Sequence, residues 1–112
     1  PDGEADTVLE PDVGAYGVIS VVGHIVAGQI REMITSFLAG KNAEAAAIHR
    51  RLIPLVDAAF CVVNPIPIKF MVNQVGFPAG PNRLPLVEPD EATAAKILAE
   101  LKRHRIDLPV PV

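Results

Sequence analysis

Apolar residues in the middle of the chain recur at steps of three and four, the spacing of an amphipathic helix. The first stripe predicts a helix over residues 24–39, followed by Gly40 where a left-handed C-terminal cap is expected. The second predicts a helix capped by Asn42 and kinked at Pro54, which lacks a backbone donor and clashes one turn back. The predicted inward-facing residues are Val26, Ile30, Met33, Ile34, Phe37 and Leu38 in the first helix, and Ile48, Leu52, Leu55, Val56, Ala59 and Phe60 in the second.

Two shorter helices are predicted in the second half of the chain. Asn64 followed by Pro65 is typical of a helix cap and a first helical position, and Gly76 ends that helix after about ten residues. A proline-rich connection over residues 77–89 then leads to an amphipathic helix over residues 90–103. The residues of this last helix that we expect to face inward are Ala94, Ile97, Leu98 and Leu101.

The segment over residues 16–23 has a different pattern, because it is short, rich in β-branched residues and flanked by glycines. This predicts a strand that is buried on both faces. A lone strand leaves backbone donors and acceptors without partners, and burying them costs on the order of a few kcal/mol each. We therefore expect its neighbours to lie outside these residues, in an upstream segment or in another chain.

Composition narrows the class of protein without naming a function. With 112 residues, 50% hydrophobic and 21% charged, the chain suits one packed domain rather than a disordered segment. The formal net charge of −3 disfavours a nucleic-acid binder. Cys61 is the single cysteine, which we expect to be a buried, inert thiol. With no apolar run long enough for a membrane span and no visible signal peptide, we expect a cytoplasmic protein.

The polar residues offer little chemistry of their own. His24, His49 and His104 are far apart and lack the spacing of metal ligands, so we predict no metal site, although His24 could line the rim of a pocket. Ser20 is not part of a Gly-x-Ser-x-Gly turn, which disfavours a nucleophilic role. The basic cluster at residues 102–105 is expected to complement the negative end of the last helix.

Five segments, in order along the chain, resemble the pyruvate-dependent Schiff-base aldolase family. They are GAYGVISV at residues 14–21, REM at 31–33, LIPL at 52–55, NPIPIK at 64–69 and RLPL at 83–86. The resemblance covers residues 14 to 104. The last two segments favour the branch that condenses pyruvate with aspartate semialdehyde, in lysine biosynthesis, over the branch that includes N-acetylneuraminate lyase.

The resemblance implies an α/β fold, namely the C-terminal portion of a (β/α)8 barrel. A whole barrel needs about 250 residues, so most of it must lie elsewhere. By this comparison residues 1–39 hold a remnant of helix 7, then strand 8 and helix 8. Residues 40–112 form a C-terminal helical region with an extended tail. Within the 112 residues the structure should be mostly α.

The resemblance also implies which residues touch substrate. The lysine that forms an imine with pyruvate belongs to the sixth strand, so no catalytic residue is expected here, and Lys69 is not that lysine. The backbone carbonyl of Ile19 should face the active site. Gly3, through its backbone, and Glu4 should lie where the second substrate is held. No metal or organic cofactor is implied.

The implied partners are pyruvate, aspartate semialdehyde, the rest of the barrel and further copies of the chain, in a dimer or tetramer. We expect no nucleic acid or membrane partner, and no activity from these residues alone. Two alternatives stay open. One is a stand-alone helical module that drives oligomerisation without catalysis, because apolar stripes and a lone strand favour self-association. The other is a sugar-acid lyase of the same family.

Overall fold

The computed structural model of the protein describes residues 17–107, and the four predicted helices are all present in this range. They are α1 (Gly23–Leu38), α2 (Asn42–Ala59), α3 (Ile66–Gln74) and α4 (Glu91–Leu101). The main contacts join α1 to α2, and α4 to both α2 and α3. The extended tail predicted beyond residue 107 lies outside the described residues.

The predicted strand over residues 16–23 is not formed in its described part. Residues 17–20 have no regular secondary structure, and helix α1 already begins at Gly23. The Oγ atom of Ser20 accepts a hydrogen bond from the backbone N–H of Gly23 at 2.8 Å, which supports the start of α1. A strand needs a neighbouring strand for its ladder, and residues 17–107 contain none.

The predicted C-terminal ends of the helices agree with the structure better than the predicted N-terminal caps do. Gly40 and Gly76 both have positive φ, 79° and 98°, just beyond the ends of α1 and α3 as predicted. The cap prediction for Asn42 is wrong, because Asn42 is the first residue of α2 and Lys41 precedes it without a side-chain cap. Pro65 occupies the cap position of α3 instead of its first helical position.

The four helices share one apolar core. Its buried residues are Val22, Ile25, Val26, Ile30, Met33, Ala45, Ile48, Leu52, Leu55, Val56, Ala58, Ala59, Ile68, Met71, Ile97 and Leu101. Fully burying a side chain such as Leu55 contributes about 1.5–3 kcal/mol. Leu38 and Phe60 were predicted to face inward but are exposed, because periodicity alone cannot say whether another element lies opposite. Helix α2 continues through Pro54.

The proline-rich connection between α3 and α4 is fastened to α3 by two side chains. The Lys69 Nζ atom donates a hydrogen bond to the carbonyl oxygen of Pro81 at 2.7 Å. The Oδ1 atom of Asn73 accepts from the backbone N–H groups of Ala79 and Gly80, and its Nδ2 atom donates to the Gly80 carbonyl. These bonds satisfy backbone groups that have no helical partner.

Helix α1 is interrupted at Val26, whose φ of −129° and ψ of 35° are not helical. Asp107 contacts both groups that would pair with each other across this point in a regular helix. Its backbone N–H donates to the carbonyl of Ile25 at 2.8 Å, and its Oδ2 atom accepts from the backbone N–H of Gln29 at 3.0 Å. The segment after α4 therefore closes the break in α1.

The side chain of Gln29 completes this connection. Gln29 is only 2% exposed, and its Nε2 atom donates to the Arg105 carbonyl at 2.7 Å and to Asp107 Oδ2 at 3.1 Å. Gly28 leaves room for the carboxylate, since a Cβ atom there would lie 3.3 Å from Asp107 Oδ2. We call the contacts of Ile25 and Gln29 with Arg105 and Asp107 the Asp107 clasp.

Replacing Asp107 by alanine is expected to lower the free energy of unfolding by about 1–3 kcal/mol, because two donors of the buried Gln29 lose their shared acceptor. Urea unfolding of the wild-type and D107A chains measures this loss. D57A is the matched control, because Asp57 is exposed on α2. It should change stability by less than about 0.5 kcal/mol. Equal losses of unfolding free energy in D107A and D57A would contradict a stabilising role for the Asp107 clasp.

Asp90 caps α4, and its contribution should depend on pH. The backbone N–H of Thr93 donates to Asp90 Oδ1 at 2.7 Å, and this bond lowers the pKa of Asp90 below its ordinary value of 3.8. Because the pKa is lower in the folded state, the stabilisation is present above 3.8 and is lost as pH falls through the folded-state pKa.

We therefore expect D90A to lower the Tm at neutral pH, and the difference from wild type to shrink below pH 3.8. Thermal unfolding followed by circular dichroism across this pH range measures the difference. D90N keeps a capping oxygen but cannot ionise, so it should be more stable than D90A by an amount that does not change with pH, and its difference from wild type should also shrink below pH 3.8. A D90A penalty of constant size down to the acid end would show that the carboxylate does not cap α4.

Candidate functional site

Of the three predicted substrate-binding residues, only Ile19 lies in the described part of the chain. Its side chain is fully exposed, at 102%, on the irregular segment that precedes α1. Gly3 and Glu4 lie outside the described residues. The substrate-binding roles of all three residues therefore stay predictions.

Helix α1 has a second, largely apolar face, which begins beside Ser20 and shares Ile30 with the core. It lines a shallow groove of about 270 Å³, which we call the α1 groove. Its lining residues are Ser20, Gly23, Ala27, Ile30, Arg31, Ile34 and Thr35. One face of α1 packs on α2, whereas this face is open. An apolar surface of this kind usually marks a place where another element packs.

The other candidate side chains have ordinary surroundings. His24 is exposed in the first turn of α1, and His49 is half-buried on α2. The Nε2 atom of His104 lies 3.0 Å from Glu100 Oε1, one turn away. Among residues 17–107, no three His, Cys, Asp or Glu side chains are grouped so that they could hold a metal ion. Cys61 is half-buried at the edge of the core, so the prediction of full burial is wrong.

A polar pocket that the sequence did not reveal lies between α1, α2 and the segment after α4. It has a volume of about 260 Å³, and its lining residues are Gln29, Glu32, Arg51, Arg103, His104 and Arg105. A signal was present, because Gln29 is a polar residue at an inward position of the α1 stripe, three residues after Val26 and four before Met33. No such feature of the sequence marks Asp107, the hydrogen-bond partner of Gln29.

None of the four described helices combines the length and the apolar content needed to cross a membrane. Helix α1 packs on the core shared with α2, α3 and α4, and the α1 groove on it is open in the described part of the chain.

Comparison with known proteins identifies the family. The sequence model of the Dihydrodipicolinate synthetase family matches residues 3–104. The 4-hydroxy-tetrahydrodipicolinate synthase of Dehalococcoides mccartyi strain 195 is 55% identical over 107 residues, which are 96% of this chain and 36% of that protein. The synthase of Symbiobacterium thermophilum is 53% identical over 91 residues, which are 79% of this chain and 31% of that protein.

Solved structures agree with the sequence comparison. The structure of dihydrodipicolinate synthase from Aquifex aeolicus matches with a TM-score of 0.87 and 31% identity, covering 98% of this chain and 37% of that one. The structure from Thermotoga maritima matches with a TM-score of 0.85 and 35% identity, covering 90% of this chain and 34% of that one. The chain thus spans about a third of the length of the relatives it matches.

These findings confirm the resemblance drawn from the segments at residues 14–21, 64–69 and 83–86. They also confirm the predicted fold class, the C-terminal portion of a (β/α)8 barrel that is mostly α within these residues. The open apolar face of α1 fits a chain that is much shorter than its relatives. The chain belongs to the dihydrodipicolinate synthetase family.

Proposed function

We propose that this chain forms the last strand, the last barrel helix and the C-terminal helical region of a lyase that condenses pyruvate with aspartate semialdehyde. The observation that carries the proposal is the α1 groove beside the exposed Ile19. The chain covers 36% of a synthase relative, so most of a barrel lies outside it. The rest of that barrel would pack on the uncovered apolar face next to the predicted strand.

The proposed chemistry is nucleophilic catalysis by a lysine outside this chain. Its amine condenses with the ketone of pyruvate, releasing water and forming an imine. Loss of a proton from the methyl carbon gives an enamine, whose carbon attacks the aldehyde of the second substrate. The reaction as proposed uses no metal or organic cofactor.

In this proposal the chain supplies one wall of the active site. The backbone carbonyl of Ile19 provides a fixed dipole near the imine, and such oriented dipoles act strongly where water is excluded. Gly3 and Glu4 lie at the edge that holds the aspartate semialdehyde. Lys69 takes no part in the chemistry, in keeping with its bond to the Pro81 carbonyl.

The remaining features of the proposal concern assembly and location. Residues 1–39 complete the barrel, and residues 40–112 pack outside it as a helical region with an extended tail. The intact enzyme works as a homodimer or homotetramer in the cytoplasm, at a step of lysine biosynthesis. The names of the relatives, which are 4-hydroxy-tetrahydrodipicolinate synthases, support aspartate semialdehyde over a sugar-acid aldehyde.

One observation favours a second candidate, a helical module that oligomerises without catalysis. The four helices enclose a core of their own, in which Ile25, Leu55, Met71 and Ile97 have almost no exposed surface. A unit with such a core needs only a partner for its α1 groove, and a second copy could supply one. Formation of an imine with pyruvate distinguishes the lyase from the helical module, which has no catalytic activity.

We expect the full-length gene product, incubated with pyruvate and borohydride, to gain one reduced pyruvate adduct on a lysine outside these 112 residues. The 112-residue polypeptide should gain none. Intact mass and peptide mapping measure both outcomes, and K69R should be labelled like wild type in the full-length protein.

Turnover with aspartate semialdehyde, and little with N-acetylmannosamine, would complete the assignment. An adduct on Lys69 would contradict the proposal that this chain supplies only a wall of the active site, at Ile19 and its surroundings, and no catalytic lysine. Absence of any adduct in the full-length protein, together with dimers of the 112-residue polypeptide in solution, would favour the helical module.

A further inference from the structure

The polar pocket gathers arginines from two distant parts of the sequence. Arg51 comes from α2, whereas Arg103 and Arg105 follow α4. The buried Gln29 of α1 lies between them. A volume of about 260 Å³ is below the range of about 300–1,000 Å³ typical of sites for drug-sized ligands, so the pocket suits a small molecule.

Arg51 is held in place but has no counter-charge. One of its terminal nitrogens donates to Gln29 Oε1 at 3.1 Å, and the amide of Gln29 is itself fixed by Arg105 and Asp107. The described residues supply Arg51 with no ion-pair partner. A guanidinium has five N–H donors in a planar fork, so most of the Arg51 donors are free to receive a carboxylate or phosphate.

The other two arginines have weak partners that a ligand could replace. Arg103 lies 3.6 Å from Glu100 and Arg105 lies 3.5 Å from Asp107, and both arginine side chains are more than 70% exposed. Because the guanidinium groups lie largely in solvent at these distances, both ion pairs contribute little. An anion that engages these guanidinium groups therefore gives up little existing binding energy.

The charges that line the pocket indicate the charge of the ligand. Glu32 is the one carboxylate among the lining residues, and Glu100 and Asp107 pair with Arg103 and Arg105, so Arg51 is the lining arginine left without a counter-charge in the described part of the chain. We propose that this pocket binds a small anion that carries a carboxylate or phosphate group, with Arg51 as its main anchor and Arg103 and Arg105 closing over it. This goes beyond the proposed lyase activity and does not depend on it.

Binding should also stabilise the Asp107 clasp. An anion that bridges Arg51 and Arg105 links α2 to the segment that carries Asp107, and that segment closes the break in α1. Because a ligand that binds only the folded state raises its stability, occupancy should raise the Tm.

The test titrates the full-length gene product with inorganic phosphate and with succinate, separately, by isothermal calorimetry at constant ionic strength. We expect saturable binding of at least one probe, weakened at least tenfold in R51Q. The matched control is R50Q, which removes the same charge from the neighbouring exposed position of α2 and should bind within twofold of wild type. The bound probe should raise the Tm of wild type and R50Q only.

R105Q provides an independent test if R51Q destabilises the fold through Gln29, and it too should weaken binding at least tenfold. Binding of phosphate alone supports a phosphate ester as the ligand, binding of succinate alone supports a dicarboxylate, and binding of both supports the shared anion chemistry. Absence of saturable binding by either probe, or an equal loss in R50Q and R51Q, would overturn the proposal.

Discussion

The contact between Asp107 and the interrupted helix α1 is the constraint on which the arrangement of the four helices depends. At the break near Val26, the Ile25 carbonyl and the Gln29 N–H both bond to Asp107, which offers one donor and one acceptor in a single residue. Buried backbone groups without partners are costly, so this contact fixes where the segment after α4 must lie. It thereby draws the two ends of the described chain together around one core.

Helix α1 is consequently shared between two environments. Its inner face, closed by the clasp, packs mainly on α2 and belongs to the core shared with α3 and α4. Its outer face forms the α1 groove beside Ile19 and has no cover among residues 17–107. The chain spans 36% of a synthase relative and leaves this face open, which suits packing against the rest of a barrel. A self-associating module would use the same face to bind a second copy.

Sequence reasoning succeeded where the determining interactions are local. The helical stripes and the glycine ends at Gly40 and Gly76 depend on residues within a few positions of each other, and the structure confirms them. It failed where distant residues are involved. The strand needs neighbours far away in sequence, and the polar pocket lies beside the Asp107 clasp, which joins Gln29 to Asp107 across 78 positions. A polar residue inside the α1 stripe was the one local sign of that pocket.

The central claim, that the α1 groove is covered by the rest of a barrel, is tested most directly by thiol labelling at Ala27. With Cys61 replaced by serine, Ala27→Cys lies on the open wall of the groove, and Ala43→Cys on the exposed side of α2 serves as reference. We predict that Ala27→Cys reacts readily in the 112-residue polypeptide and at least tenfold more slowly in the full-length gene product. Ala43→Cys should react at the same rate in both. Equal reactivity of Ala27→Cys in the two proteins would contradict the central claim.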